Sequence, residues 1–128
     1  MAEISNYLEN ALINGTLRAT SYTAPTTTYL ALYTNDPTDA DTGTEVTGGS
    51  YVRQAIVFSA PSNGATSNSS AIEFPQCTAD WGIITHVGIR DAVTTGNLLY
   101  HTPLDSSKTI SNGDIFKITA TNLSVTLA

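Results

Sequence analysis

Thr28-Tyr29-Leu30-Ala31-Leu32-Tyr33 reads as a β-strand and sets the class of the whole chain. Thr28, Leu30 and Leu32 fall on one side of an extended backbone, and Tyr29, Ala31 and Tyr33 on the other. Aromatic and β-branched side chains fit a pleated, half-buried surface. The alternation returns further along, where Val52, Gln54, Ile56 and Phe58 alternate with Tyr51, Arg53, Ala55 and Val57. Ile72 and Phe74 mark a shorter strand closed by Pro75. Ile83, Thr85, Val87 and Ile89 share one face of a strand that runs to Arg90. Residues 98–102, 108–110, 115–119 and 123–127 bring the set to about eight short strands. Asn112-Gly113-Asp114 supplies positive φ for a tight turn between two of them. The remaining connections are Gly, Pro, Asn, Asp and Ser clusters, and residues 35–50 and 59–70 read as exposed loops. Many short strands without intervening helices predict an all-β, antiparallel, jelly-roll-like sandwich.

One segment breaks the pattern. Ile4, Leu8, Ala11 and Leu12 follow helical spacing, Ser5 is placed to cap the N-terminus, and Asn14-Gly15 is a natural stop. Residues 1–15 therefore read as a short N-terminal helical arm on a β-sandwich of residues 16–128, one domain overall. So short a helix is unstable alone. It either covers its own domain or docks on a neighbouring subunit. In the second case Ile4, Tyr7, Leu8 and Leu12 are candidate interface residues. Trp81, at a turn between Asp80 and Gly82, joins them because Trp is enriched in interface hot spots. The alternative for Trp81 is a place at the edge of the core, and Tyr29, Tyr33 and Tyr51 present the same two readings.

The composition agrees with a β domain and narrows its partners. Charged residues are 12% of the 128, about half the usual quarter, and Thr, Ser and Asn supply the polarity. The net charge is −6 with five Lys and Arg in all, which argues against nucleic acid and against an anionic membrane as ligands. Cys77 is the one cysteine, so no internal disulfide can form. The N-terminus lacks a basic, then apolar, leader pattern, and no apolar run approaches a membrane span. The expectation is a chain that stays soluble in the reducing cytoplasm where it is made.

Candidate chemistry is sparse. His86, His101 and Cys77 would give three zinc ligands only by converging in the fold, and their spacing matches no zinc pattern. Hydrogen-bonded histidines on a half-buried sheet are expected instead. Asp36, Asp39, Asp41 and Glu45 offer the oxygens that Ca²⁺ prefers. They lack the full EF-hand alternation and its distal glutamate, so a solvated turn with local side-chain-to-backbone bonds is the expectation. No G-x-S-x-G elbow and no phosphate-binding glycine loop appears. The expectation is a protein that is not an enzyme, with no catalytic residue, no cofactor and no metal.

Several ordered motifs together resemble a family of small virion structural proteins of tailed bacteriophages. They are Ile4-Ser5-Asn6-Tyr7-Leu8; Tyr29 through Thr38; Thr42 through Val46; Gly48 through Gln54; Phe74-Pro75; Thr78 through Gly82; Ile84 through Ile89 with Asp91; Gly96 through His101; Lys108-Thr109-Ile110; and Gly113-Asp114. The resemblance spans nearly the whole chain. Members of such families are labelled tail-fibre or virion structural proteins, and jelly-roll proteins of this size also serve as capsid decoration (cement) proteins. The resemblance implies a virion location after assembly in the host cytoplasm, and carries no catalytic residues. A fibre needs length, usually from repeats or a coiled coil, and this chain has neither. A cement protein that stabilises the head lattice is therefore the first expectation, with the major capsid protein or other virion subunits as partners. Contacts of that kind suit a homo-oligomer, with a trimer at a local threefold axis as one arrangement. A tail component (fibre, tip or receptor-binding adaptor) is the alternative.

Overall fold

A computed structural model describes residues 2–127. Its elements are β1 (Glu3–Ile4), α1 (Asn6–Leu17), β2 (Thr28–Tyr33), β3 (Gln54–Ile56), β4 (Ala65–Ser67), β5 (Ile72–Glu73), β6 (Gly82–Arg90), β7 (Leu98–Ile110), β8 (Lys117–Ile118) and β9 (Ser124–Thr126). Five of the strands form an antiparallel sheet in the order β1-β7-β6-β2-β3. The facing layer is made of two antiparallel ribbons, β4-β9 and β5-β8. The chain is thus an all-β sandwich with one short helix, as its periodicity predicts.

β2 lies inside the sheet and is covered on both sides, so both of its alternating sets are buried. Leu30 and Leu32 face the ribbons together with Val87 and Ile89, and pack with Phe74, Phe116, Leu123 and Val125. Full burial of each such side chain contributes about 1.5–3 kcal/mol relative to leaving it in water. Ala31 and Tyr33, also buried, point to the other side. There Gly88 lets the Tyr33 ring lie across the sheet: a Cβ at position 88 would sit 2.8 Å from Tyr33 Cε2 and 2.8 Å from Leu98 Cδ1.

The structure corrects several local readings. Ile4 belongs to no helical stripe; it pairs with Tyr100 as the edge strand β1. Ser5 does cap the helix, accepting from the Leu8 amide, but α1 runs through Asn14 and Gly15 to Leu17. The stop is supplied by Ala19, which takes a left-handed φ of 54° while the Thr20 amide donates to the Asn14 carbonyl. A single helical glycine costs only about 1 kcal/mol, so Gly15 need not end the helix.

At the start of β6 the inward side chain is Ile84, and Ile83 is 53% exposed. The cause is a break in register between Ile84 and His86: Lys108 and Pro103 are their partners, so Thr85 alone spans Leu104–Ser107 of β7. An unmatched residue flips the alternation on one side of such a bulge. The same bulged strand joins what reads in sequence as two strands. The predicted strand of residues 51–58 is ordered as a ladder only at β3, with a single bridge from Phe58 to Asn68 beyond it.

Both long loops are mostly exposed, as expected, but each is tied down by buried residues. Residues 59–70 contain β4 and the fully buried Asn68. Residues 35–50 contain the buried Pro37 and Val46, and Glu45 bridges to Tyr33.

Candidate functional site

The interface candidates are distributed over different parts of the fold. Leu8 is 4% exposed and is the buried residue of α1, which packs on β7. Leu12 and Ile4 are half-buried. Trp81 is 5% exposed; its indole N–H donates to the Gly49 carbonyl at 3.0 Å, and its ring meets Tyr51 and Phe74 edge-on. Leu8 and Trp81 are therefore buried in the chain's own packing. Of the five, Tyr7 offers an exposed ring. The exposed apolar pair on the helix is Ile13 and Leu17, whose i, i+4 spacing was legible but lies off the stripe that contains Leu8.

Two clamps hold the 35–50 loop to the sheet. Arg53 donates from Nε and Nη2 to the two Glu45 carboxylate oxygens, each at 2.8 Å, and from Nη1 to the Ala92 and Thr95 carbonyls at 2.9 and 2.8 Å. The Tyr51 hydroxyl donates to the same carboxylate at 2.6 Å while accepting from the Leu32 amide. Arg90 makes the second fork, onto Asp41 at 2.8 and 2.9 Å, and also reaches the Tyr33 hydroxyl and the Gly96 carbonyl. Both guanidiniums are buried and each is paired with a carboxylate, the form in which burial is tolerated; among the described residues, Arg90 Nε has no hydrogen-bond partner. Asp41 and Glu45 are thus claimed by arginines. Asp36 accepts from the Thr38 amide, the local bond expected of this loop.

Burial alone would push the Glu45 carboxyl up, but the hydrogen bonds from Arg53 and Tyr51 outweigh it and hold it below its ordinary value. Burial, then the bond to Glu45, pushes the Tyr51 phenol up. Because the folded carboxyl is depressed, its contribution to stability is complete above the ordinary value of 4.5. That contribution is lost as pH falls through the lower, folded value. Denaturation midpoints followed from about pH 6 to about pH 3 should decline, and Glu45→Gln should make the decline shallower.

The histidines and the thiol do not meet. His86 Nδ1 bonds its neighbour Thr85 at 2.8 Å, the buried Cys77 thiol donates to the Ser111 carbonyl, and His101 sits under the acidic loop with Asp39 2.8 Å from its Nε2. Among the described residues, the His, Cys and carboxylate group that does converge is Glu3, Asp39 and His101. On the other side of the molecule, a cleft of about 500 Å³ opens between the bulged part of β7 and residues 115–124. Both lysines of the chain, Lys108 and Lys117, line it, a cationic feature in an acidic protein.

No curated protein matches the chain. The family described as podophage GP4 fiber I protein gp80 matches residues 3–126. Both the sandwich and the helix that closes it lie within that match. The chain belongs to this family of bacteriophage virion structural proteins.

Proposed function

We propose that the protein is a non-enzymatic subunit of the phage tail-fibre apparatus, and that it works through contacts with other virion subunits. The observation that carries this reading is the fibre-family match over residues 3–126. It supports the tail alternative ahead of capsid cement, which the lack of length and repeats favoured in the sequence. A compact subunit gains reach by assembling with copies of itself or on a longer partner, so its own length is no obstacle. A homotrimer is the arrangement proposed for the mature subunit.

Copy number separates tail from head. In purified virions the protein should be present on the order of tens of copies, as symmetric tail appendages require, measured by quantitative mass spectrometry against the major capsid protein. Antibody–gold should label the tail region in electron micrographs. Hundreds of copies with label over the head would replace this reading by the cement one.

A further inference from the structure

His101 is 2% exposed, yet only one of its ring nitrogens is hydrogen-bonded. Nε2 lies 2.8 Å from Asp39 Oδ1. An ionised carboxylate can only accept, so Nε2 donates to Asp39 and the other ring nitrogen, Nδ1, is left to a different partner. Nδ1 is buried and, among the described residues, has no hydrogen-bond partner. What it faces is two further carboxylates, Glu3 Oε2 at 3.6 Å and Asp36 Oδ1 at 3.8 Å. Those separations are too long for hydrogen bonds. A ring nitrogen facing two carboxylates calls for positive charge between them, a proton or a metal ion.

The spacing suits such a cation. Two donors held at about 2.1 Å from one tetrahedral ion are roughly 3.4 Å apart. Glu3, Asp39 and His101 each bring a possible ligand atom within 4.8 Å of one another, and Asp36 joins them through its 3.8 Å separation from Nδ1. A ligating histidine commonly donates its other ring N–H to a carboxylate, which fixes its tautomer and orientation; Asp39 stands in that relation to His101. Glu3 and Asp36 have side chains that are 67% and 55% exposed, so the outer side is open to water as further ligand. An imidazole with carboxylates favours zinc-like transition ions over Ca²⁺ or Mg²⁺.

Against the sequence expectation of no metal, we propose that Glu3, Asp36 and His101 bind one divalent transition-metal ion through His101 Nδ1, with Asp39 as the positioning residue. The ligands come from three places that are far apart in sequence: β1, the loop after β2, and β7. None of the sequence spacings could show this, because the convergence is made by the pairing of Glu3 with His101 across β1 and β7. The bound ion would rivet the N-terminal strand and the acidic loop onto the sheet.

Zinc is the probe. Full-length protein without a polyhistidine tag, stripped with chelator, is titrated with Zn²⁺ by calorimetry, with Ca²⁺ in parallel and thermal unfolding followed with and without Zn²⁺. The expected result is saturable one-to-one Zn²⁺ binding, a raised unfolding temperature, and much weaker Ca²⁺ binding. The double substitution Glu3→Gln with Asp36→Asn changes exposed side chains, so it should fold and lose the binding. Asp39→Asn should weaken binding on the order of 10–100-fold, the usual effect of a lost orienting partner. Absence of saturable Zn²⁺ binding overturns the proposal, since Nδ1 is then met by a proton alone. Unchanged affinity in the double variant overturns the assigned ligands, and equal affinity for Ca²⁺ overturns the ion class.

Discussion

Asn68→Leu should cost the domain about 4 kcal/mol of stability, summed over the partners it abandons at about 1–3 kcal/mol each. The side chain is fully buried and every polar atom is in use. Nδ2 donates to the Ser70 and Thr119 carbonyls at 2.8 and 3.1 Å, and Oδ1 accepts from the Leu123 amide at 2.9 Å. Its backbone N–H donates to the Leu123 carbonyl and its carbonyl accepts from the Thr121 amide. One residue thereby joins the end of β4 to the approach to β9, which β4 pairs with. Leucine fills the same space but deprives three backbone groups of this partner, the buried Leu123 amide and the part-buried Ser70 and Thr119 carbonyls. Urea unfolding should show a lower midpoint with an unchanged slope. Asn68→Asp should cost at least as much, because it keeps the size and turns an acceptor toward the two carbonyls. A loss under about 1 kcal/mol for Asn68→Leu would mean that water replaces the lost bonds.

Asn68 also shows where the sequence stops being legible. Its surroundings, Ser59 through Ser70, are rich in Ser, Asn and Gly, and that composition is shared by solvated loops and by loops satisfied through their own polar side chains. The distinction depends on Thr119 and Leu123, more than fifty positions away, and no local pattern encodes it. β2 was legible because its alternation is local and both of its sets are apolar. Ile83 was misplaced because a period of two holds only until a bulge, and the bulge is set by Leu104–Ser107 on the partner strand.

The candidate site divides in the same way. The helix cap at Ser5 and the burial of Leu8 follow from spacing alone. The carboxylates at 36, 39, 41 and 45 were visible as a cluster, but their fates differ. Asp41 and Glu45 are claimed by Arg90 and Arg53, and Asp39 by His101. Sequence proximity predicts a solvated turn in which the four bond to local backbone. The fold instead assigns them separate partners, because neighbouring positions on a turning loop point in different directions.

Arg53→Ala should destabilise by about 3–5 kcal/mol, the usual result of breaking a buried pair from one side. The guanidinium carries four bonds, two to Glu45 and two to the Ala92 and Thr95 carbonyls, so its loss loosens the hold on the 91–97 turn and leaves the carboxylate without its counter-charge. Glu45 would keep the Tyr51 hydroxyl, and its side chain is 23% exposed, so water can soften the effect without abolishing it. Arg53→Lys keeps the charge but presents no fork, and a single ammonium cannot serve the carboxylate and both carbonyls at these distances. It should fall between wild type and Arg53→Ala. The decisive comparison is Arg53→Met with Glu45→Gln. Removing both charges leaves no orphan carboxylate, so the double variant should be less destabilised than the sum of its two single changes. The excess, read from urea midpoints, is the coupling of the pair. Strict additivity would show that Arg53 acts only through the two carbonyls, and that the fork to Glu45 adds nothing to holding the loop on the sheet.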